Sequence, residues 1–352
     1  MRVGVLSAAA PRASVLAVAC VFAATIALDA CKKSPPDSAP ATDAAPSLDL
    51  AHVPASEAPE PARATAHEDA GALTALTSDE HAFLGVKPTS AKSIGHTSVV
   101  FKIDFANGQR AAFKPRSKRS KTRYKGEIAA YRLARALGLP NVPPAFSFRV
   151  PAADLRAAMQ GKDAAFFDAE TIVEADGTVR GALIPWISKL EFFPIETDKS
   201  RAQWEPWLFD GAAIAADADR VIAADISTLI AFDTLTGNWD RWSGGNVGAN
   251  GPGGHLLYID NDGAFFDPVP PGPLARQNAL VARTERFSRS FVEALRKLDA
   301  AALSSALGEE TPGEPLLARS VLQGVEKRRK AALLVIDKKI AAHGEPAVLF
   351  FP

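Results

Sequence analysis

Apolar and polar residues alternate over Ser98-Val99-Val100-Phe101-Lys102-Ile103-Asp104-Phe105, a period of two that predicts a half-buried strand. Asn107-Gly108 follows, a dipeptide that favours a tight hairpin turn, and Arg110–Lys114 return as the partner strand until Pro115 stops it. Lys114 is therefore expected at the end of a strand in an antiparallel sheet. The period then changes. Ala130, Leu133, Ala134 and Leu137 fall at i, i+3, i+4 and i+7, which predicts a helix from about Lys125 to Leu137, capped by Gly138 and ended by Pro140. Residues 145–150 read as a strand, 152–160 as a short helix, and 171–187 as a second hairpin around Asp176-Gly177. Beyond them the pattern is helical over about 220–235, 274–302 and 315–342, broken by an apolar strand, Leu256–Ile259. The chain reads as α+β: a small antiparallel-sheet lobe with one key helix, then a mostly helical lobe, with a cleft between them.

The N-terminus has a different character. Arg2 and Arg12 precede an almost wholly apolar run over 13–28, then Leu28-Asp29-Ala30-Cys31. This resembles a bacterial lipoprotein signal, with Cys31 lipidated as the mature N-terminus. A retained membrane anchor and an ordinary cleaved signal are the other readings. Residues 31–75 are rich in Pro and Ala, have almost no large apolar residues, and read as a disordered tether. The expected organisation is signal 1–30, tether 31–75, sheet lobe 76–187 and helical lobe 188–352. That places the folded domain outside the cytoplasm, in the envelope of a bacterium, lipid-anchored to a membrane. The 352 residues suffice for one two-lobed domain plus this appendage. Forty basic and forty acidic residues cancel, so no global field points to nucleic acid. Cys20 and Cys31 are the two cysteines, too few for a disulfide framework.

Two acidic loops carry the candidate chemistry. Gly237-Asn238-Trp239-Asp240-Arg241 follows a helical apolar run, and Asp260-Asn261-Asp262-Gly263 follows the apolar strand. Phosphoryl transfer uses one carboxylate to orient the acceptor hydroxyl and another to hold the metal that neutralises the phosphates. Upstream, Phe113-Lys114-Pro115 and Gly126-Glu127-Ile128-Ala129-Ala130-Tyr131 supply the other half of such a site. Glu127 lies about 70° from the centre of the helix stripe, towards the core margin, where a carboxylate requires a cation. Lys114 is the nearest by topology; an exposed first-turn Glu favoured by the helix dipole is the alternative. Gly95, in the polar turn Ser93–Ser98, is grouped with Lys114 and Glu127 for nucleotide binding; His96 lies over the phosphates or in solvent. Asp262 is the alternative to Asp260 as metal ligand. The basic residues Arg116, Lys118, Arg119, Lys121, Arg123 and Lys125 form either a solvated loop or an electrostatic lip. Asn238 reads as structural, Arg241 as the partner of a nearby acid, and Asp233 as a loop brace or an exposed Asp. Pro185-Trp186-Ile187 is an adenine-contacting hinge or plain core. His255 has no zinc-type spacing, and no nucleophile elbow is present.

Phe113-Lys114-Pro115, Gly126-Glu127-Ile128-Ala129-Ala130-Tyr131, Leu137-Gly138-Leu139-Pro140-Asn141-Val142-Pro143-Pro144, Gly237–Arg241 and Ile259-Asp260-Asn261 together resemble the secretory-pathway kinase family of the Golgi casein kinase and four-jointed. More distantly they resemble phosphoinositide kinases and HipA-type kinases. The likeness covers about residues 93–267. It implies a bilobal protein-kinase-like fold that uses ATP with Mn²⁺ or Mg²⁺ and phosphorylates a hydroxyl of a protein or glycan; the phosphoinositide-kinase likeness adds a lipid acceptor. By the same resemblance Lys114 contacts phosphates, Glu127 is its helix partner, Asp240 is the catalytic acid and Asp260 holds metal. Relatives commonly carry His after Asp-Arg, where this chain has Trp242. Asn246, a second metal-ligand candidate, lies six residues after Asp240 rather than five. A tethered pseudokinase-like binding module is the competing function.

Overall fold

The structure, a computed structural model, describes residues 78–95, 97–250 and 254–352. The predicted signal, the tether, Cys31 and His96 lie outside the described residues.

The hydrophobic alternation builds the first lobe. After a one-turn helix α1 (Ser78–His81), strands β1 (Pro88–Ser93), β2 (Phe101–Phe105), β3 (Arg110–Pro115), β4 (Phe146–Pro151) and β5 (Thr178–Pro185) form an antiparallel sheet in the order β1-β2-β3-β5-β4. The Asn107-Gly108 hairpin sets its register: Phe101 opposes Phe113, and Ile103 opposes Ala111. These residues, with Phe148, Val150, Val179 and Leu183, pack one face of the sheet against Leu155 of α3 (Ala152–Ala157) and Phe167 of α4 (Gly161–Glu170). Phe148 meets Phe105 and Phe113 edge-on at 6.3 and 6.1 Å. Because side chains alternate, Ala112 and Lys114 leave the opposite face, where helix α2 (Arg123–Ala136) lies.

One expectation for this lobe needs correction, and one strand was not foreseen. The turn at Gly177 exists, with φ 78°, but it does not close a hairpin running from 171 to 187. Residues 172–177 form no strand, and Thr171 makes only a single bridge to Ser117. Strand β5 pairs instead with β3 and β4. Val173 is 49 % exposed and Glu174 is held by Arg116, so this segment offers no apolar face to a sheet. Strand β1 was not anticipated, because Ala91 is its one buried residue and no alternation marks it.

The second lobe begins with a three-stranded sheet of β6 (Leu190–Phe192), β7 (Val247–Asn250) and β8 (Leu256–Tyr258). Its helices are α5 (Asp198–Phe209), α6 (Asp217–Thr236), α7 (Pro271–Arg283), α8 (Arg289–Lys297), α9 (Ala300–Leu307), α10 (Arg319–His343) and α11 (Glu345–Val348). The run predicted as one helix over 274–302 is divided among α7, α8 and the start of α9. Ser288 accepts from the Phe291 amide and Asp299 from the Ala302 amide, so each starts a new helix as an N-cap. A short hairpin, β9 (Glu309–Thr311) and β10 (Glu314–Pro315), precedes α10, which starts at Arg319 rather than near 315. Ile226, Leu229 and Phe232 of α6 share one core with Phe291, Leu295, Val325 and Ile336, and Ile128 and Leu133 of α2 join it. Helix α2 thus packs into the helical core while facing the sheet lobe. Among the described residues no helix is long and apolar enough to cross a membrane.

Candidate active site

Strand β3 delivers Lys114 into the gap beneath α2. Its Nζ lies 2.5 Å from Glu127 Oε1, 2.5 Å from Asp260 Oδ1 and 3.6 Å from Asp262 Oδ2. Lys114 and Glu127 are buried, whereas the Asp260 side chain is 42 % exposed. One ammonium therefore serves three carboxylates. Burial opposes charge on Lys114, but Glu127, Asp260 and Asp262 outweigh it and push its pKa up. Burial, aided by Asp260 and Asp262, also raises Glu127 despite the neighbouring ammonium. Desolvation works against ionised Asp260 too, yet Lys114, Arg241 and Arg123 hold its carboxyl below the usual range. Asp260 is thus the partly accessible member of the set.

Close backbone approach makes this cluster possible. A Cβ on Gly126 would meet the Asn261 carbonyl oxygen at 2.6 Å, so only glycine lets α2 lie this close to the acidic loop. Asp260 itself sits at φ 55°, a left-handed conformation uncommon outside glycine, asparagine and aspartate. Residues Asn261–Gly263 then make one 3-10 turn.

Arg241 joins the two acidic loops. Its side chain is fully buried and binds Asp233 at 3.0 Å, the Ile259 carbonyl at 2.5 Å, Asn261 Oδ1 at 2.6 Å and the Asn246 carbonyl. Asp233 is therefore a buried brace rather than an exposed acid; burial pushes its carboxyl up to about 6 although Arg241 opposes this. Asp240, with its side chain 24 % exposed, stands at the cleft. Its amide donates to Asn238 Oδ1 at 3.1 Å, and the Trp239 amide donates to the Gly263 carbonyl at 3.2 Å. Asn246 is buried, and its amide nitrogen donates to the Asp240 carbonyl at 2.7 Å and to Ser243 Oγ at 3.2 Å. Its side-chain oxygen is the atom left for a metal.

The remaining candidates are placed as follows. Gly95 is partly buried, and a Cβ there would meet the Ser98 carbonyl oxygen at 2.2 Å, so it shapes a tight turn above the cleft. Trp186, 36 % exposed at the end of β5, carries Lys102 Nζ 4.3 Å from its ring centre. Trp242 packs on Trp204, with ring centres 6.1 Å apart. Most of the basic stretch is engaged with the protein rather than free. Arg116 holds Glu174 and Arg119 holds Glu170, both at 3.0 Å. Lys118 donates to the Ala169 carbonyl and Lys125 to the Pro315 carbonyl, both at 2.7 Å.

Sequence reasoning left two participants, Arg123 and Glu310, unassigned and offered Asp262 only as an alternative metal ligand. Asp262 is buried and accepts from Ser98 Oγ at 2.8 Å and from Arg123, so it ties the turn above the cleft to the start of α2. Arg123 Nη2 also lies 3.8 Å from Asp240 Oδ2. Its position four residues before Glu127, on the same helix face, was the available signal. Glu310 of β9 is buried and accepts from Tyr124 at 2.9 Å and Ser147 at 2.8 Å, clamping α2 from behind. No local pattern marks that contact.

Among the described residues no three carboxylate, imidazole or thiol groups converge as a ready-made metal cage. The donor set fits a divalent cation bound jointly with phosphate oxygens, since such ions take one or two carboxylates plus substrate oxygens. Asp260 would be the accessible carboxylate ligand and Asn246 a neutral one, while Glu127 lies 2.5 Å from the Lys114 ammonium.

No protein-family model and no curated protein sequence matches the chain. Solved structures do. A Golgi casein kinase structure with Mn/ADP bound superposes with a TM-score of 0.58 at 17 % identity, over 76 % of this chain and 77 % of that one. A second Golgi casein kinase structure gives 0.56 at 15 % identity, over 75 % and 76 %. Hydra Fam20, solved with sugar, gives 0.52 at 18 % identity, over 78 % of this chain and 93 % of that one. The fold is that of the secretory-pathway kinases. Within this kinase fold, β3, α2 and the two acidic loops hold the residues described above.

Proposed function

We propose that the domain is a metal-dependent phosphotransferase that moves the γ-phosphoryl group of ATP to an alcohol hydroxyl. The observation that carries this reading is the geometry at Lys114. A buried ammonium 2.5 Å from both Glu127 and Asp260, with Asp240 on the loop stapled alongside, is the polar set phosphoryl transfer requires. Lys114, held by Glu127, binds phosphate oxygens. Asp260, with Asn246, holds Mn²⁺ or Mg²⁺, which supplies positive charge to the phosphates when bound. Asp240 orients the acceptor hydroxyl and receives its proton. The Mn/ADP in the similar Golgi casein kinase structure supports this choice of cofactors. Trp242 packs on Trp204 and is no base, so Asp240 carries that role alone.

The acceptor we assign is a hydroxyl of a protein, glycan or lipid, presented to a domain tethered to a membrane through a lipidated Cys31. Purified protein with γ-labelled ATP and Mn²⁺ tests the reaction, with water as default acceptor. Transfer or slow hydrolysis should fall by 10²-fold or more in Asp240→Ala, in line with general-base contributions of about 10²–10⁴. Normal turnover in that variant would sink the mechanism.

A further inference from the structure

Arg123 opens helix α2 four residues before Glu127, so the two side chains leave the same helix face, towards the acidic loops. Its guanidinium spans both loops. Nε donates to the Asp262 carbonyl at 3.3 Å and Nη2 to the Asp262 carboxylate, while Nη2 lies 3.8 Å from Asp240 Oδ2. The group sits 5.4 Å from the ring centre of Trp239, the residue before Asp240. Its side chain keeps 21 % exposure, and among the described residues nothing accepts a hydrogen bond from Nη1. A small open pocket beside it is lined by Lys114, Ser98, Ser117, Ser120 and Asp262.

A plain ion pair with Asp262 explains only one edge of this guanidinium. The fork is planar with five N–H donors, so it can hold Asp262 on one edge and present the other to an anion. The charge balance asks for such a group. Lys114 is already shared among three carboxylates, and Asp240 adds a fourth on the acceptor side. Arg123 is the cation that lies 3.8 Å from Asp240 while it holds Asp262, whose other carboxylate oxygen is 3.6 Å from Lys114 Nζ.

Building on the phosphotransferase reading, we propose that Arg123 is a further catalytic residue, which binds the oxygens of the γ-phosphoryl group during transfer. In that step the acceptor oxygen forms a bond to the γ-phosphorus. The bond from phosphorus to the β–γ bridging oxygen breaks, and ADP leaves with that electron pair. The hydroxyl proton passes to Asp240. Arg123 moves no proton; it donates N–H groups to oxygens whose charge is redistributed in the transition state. Because ADP lacks the γ-phosphoryl group, Arg123 contributes to turnover far more than to ADP affinity.

The test uses the full chain and its Arg123→Met, Arg123→Lys and Arg123→Ala variants. Mn·ADP affinity is read by calorimetry and Mn·ATP hydrolysis by labelled phosphate release. Arg123→Met should lower the hydrolysis rate by about 10²–10³-fold, the range for loss of one transition-state donor, while ADP affinity stays within about threefold. Arg123→Lys should fall between, and added guanidinium should partly restore Arg123→Ala, which also shows that the variant is folded. ADP affinity and rate falling together, or a rate unchanged in Arg123→Met, would overturn the proposal and leave Arg123 a prop for Asp262. If the wild-type chain neither binds Mn·ADP nor turns over ATP, the phosphotransferase reading fails, and this role with it.

Discussion

Gly126→Ala tests the close approach of α2 to the acidic loop. On propensity alone the change should help: alanine in a helix interior is favoured over glycine by about 0.8–1 kcal/mol. The structure opposes it. The new methyl would sit 2.6 Å from the Asn261 carbonyl oxygen, 3.3 Å from Asp262 Cα and 3.4 Å from the Ala264 carbonyl oxygen. Ordinary contact begins near 3.4 Å, and all three neighbours are backbone, so no side chain can swing aside. Helix and loop must separate by roughly half an ångström or more, with an overpacking cost of about 1–3 kcal/mol. The net effect on stability is then a loss of about 0–2 kcal/mol once propensity is counted. The effect on function is larger, because the shift carries Glu127 on α2 away from Lys114 and Asp260. Mn·ADP affinity should fall by about tenfold or more, since each 1.4 kcal/mol of lost binding is a factor of ten. Denaturant unfolding and calorimetric titration on the same samples measure both. A variant stabilised by the full propensity gain, with nucleotide affinity unchanged, would refute the argument that this contact sets the site.

Further outcomes follow from the same geometry. Lys114→Met strands Glu127 as an unpaired buried carboxylate and should cost about 3–5 kcal/mol in denaturant unfolding. Adding Glu127→Gln should recover at least about 1 kcal/mol of that loss, and strict additivity would contradict the coupling. Asp233 has its folded-state value raised to about 6, above its ordinary value, so its contribution to stability is fully present below that ordinary value and is lost as pH rises through about 6. Wild type should therefore lose on the order of 3 kcal/mol relative to Asp233→Asn between about pH 3.5 and 7, two units at 1.36 kcal/mol each; a pH-independent difference in unfolding free energy would refute it. Glu310→Gln weakens the clamp on Tyr124 and should cost about 1–3 kcal/mol with a several-fold loss of Mn·ADP affinity. Loss of stability with affinity untouched would show that the clamp does not position α2.

Much of the sheet lobe and the four polar positions were legible because their signals are local. The Asn107-Gly108 turn fixed the β2–β3 register, and alternation then placed Lys114 on the face opposite Phe113. Glu127 was readable from the helix stripe, and the structure realises the buried reading over the exposed one. Asp260 is preferred over Asp262 because the apolar strand ends directly at it, but the sequence does not show how their surroundings differ. The structure separates them by environment: Asp262 is buried on Ser98 and Arg123, while Asp260 faces the cleft. Arg123 was hidden in a basic stretch whose Arg116, Lys118, Arg119 and Lys125 hold unrelated partners. Glu310 was invisible because its contact to Tyr124 spans 186 residues and depends on tertiary packing alone. Strand β1 and the divided helices at Ser288 and Asp299 were missed where a weak pattern hid a pairing or an N-cap.

The most direct test of the central claim is calorimetric titration of the purified full chain with ADP, with and without Mn²⁺, alongside Asp260→Ala. The account predicts binding that requires the metal and is lost in Asp260→Ala, with the variant still folded by circular dichroism. Absence of binding with either Mn²⁺ or Mg²⁺, or metal-dependent binding that survives in Asp260→Ala, would contradict it.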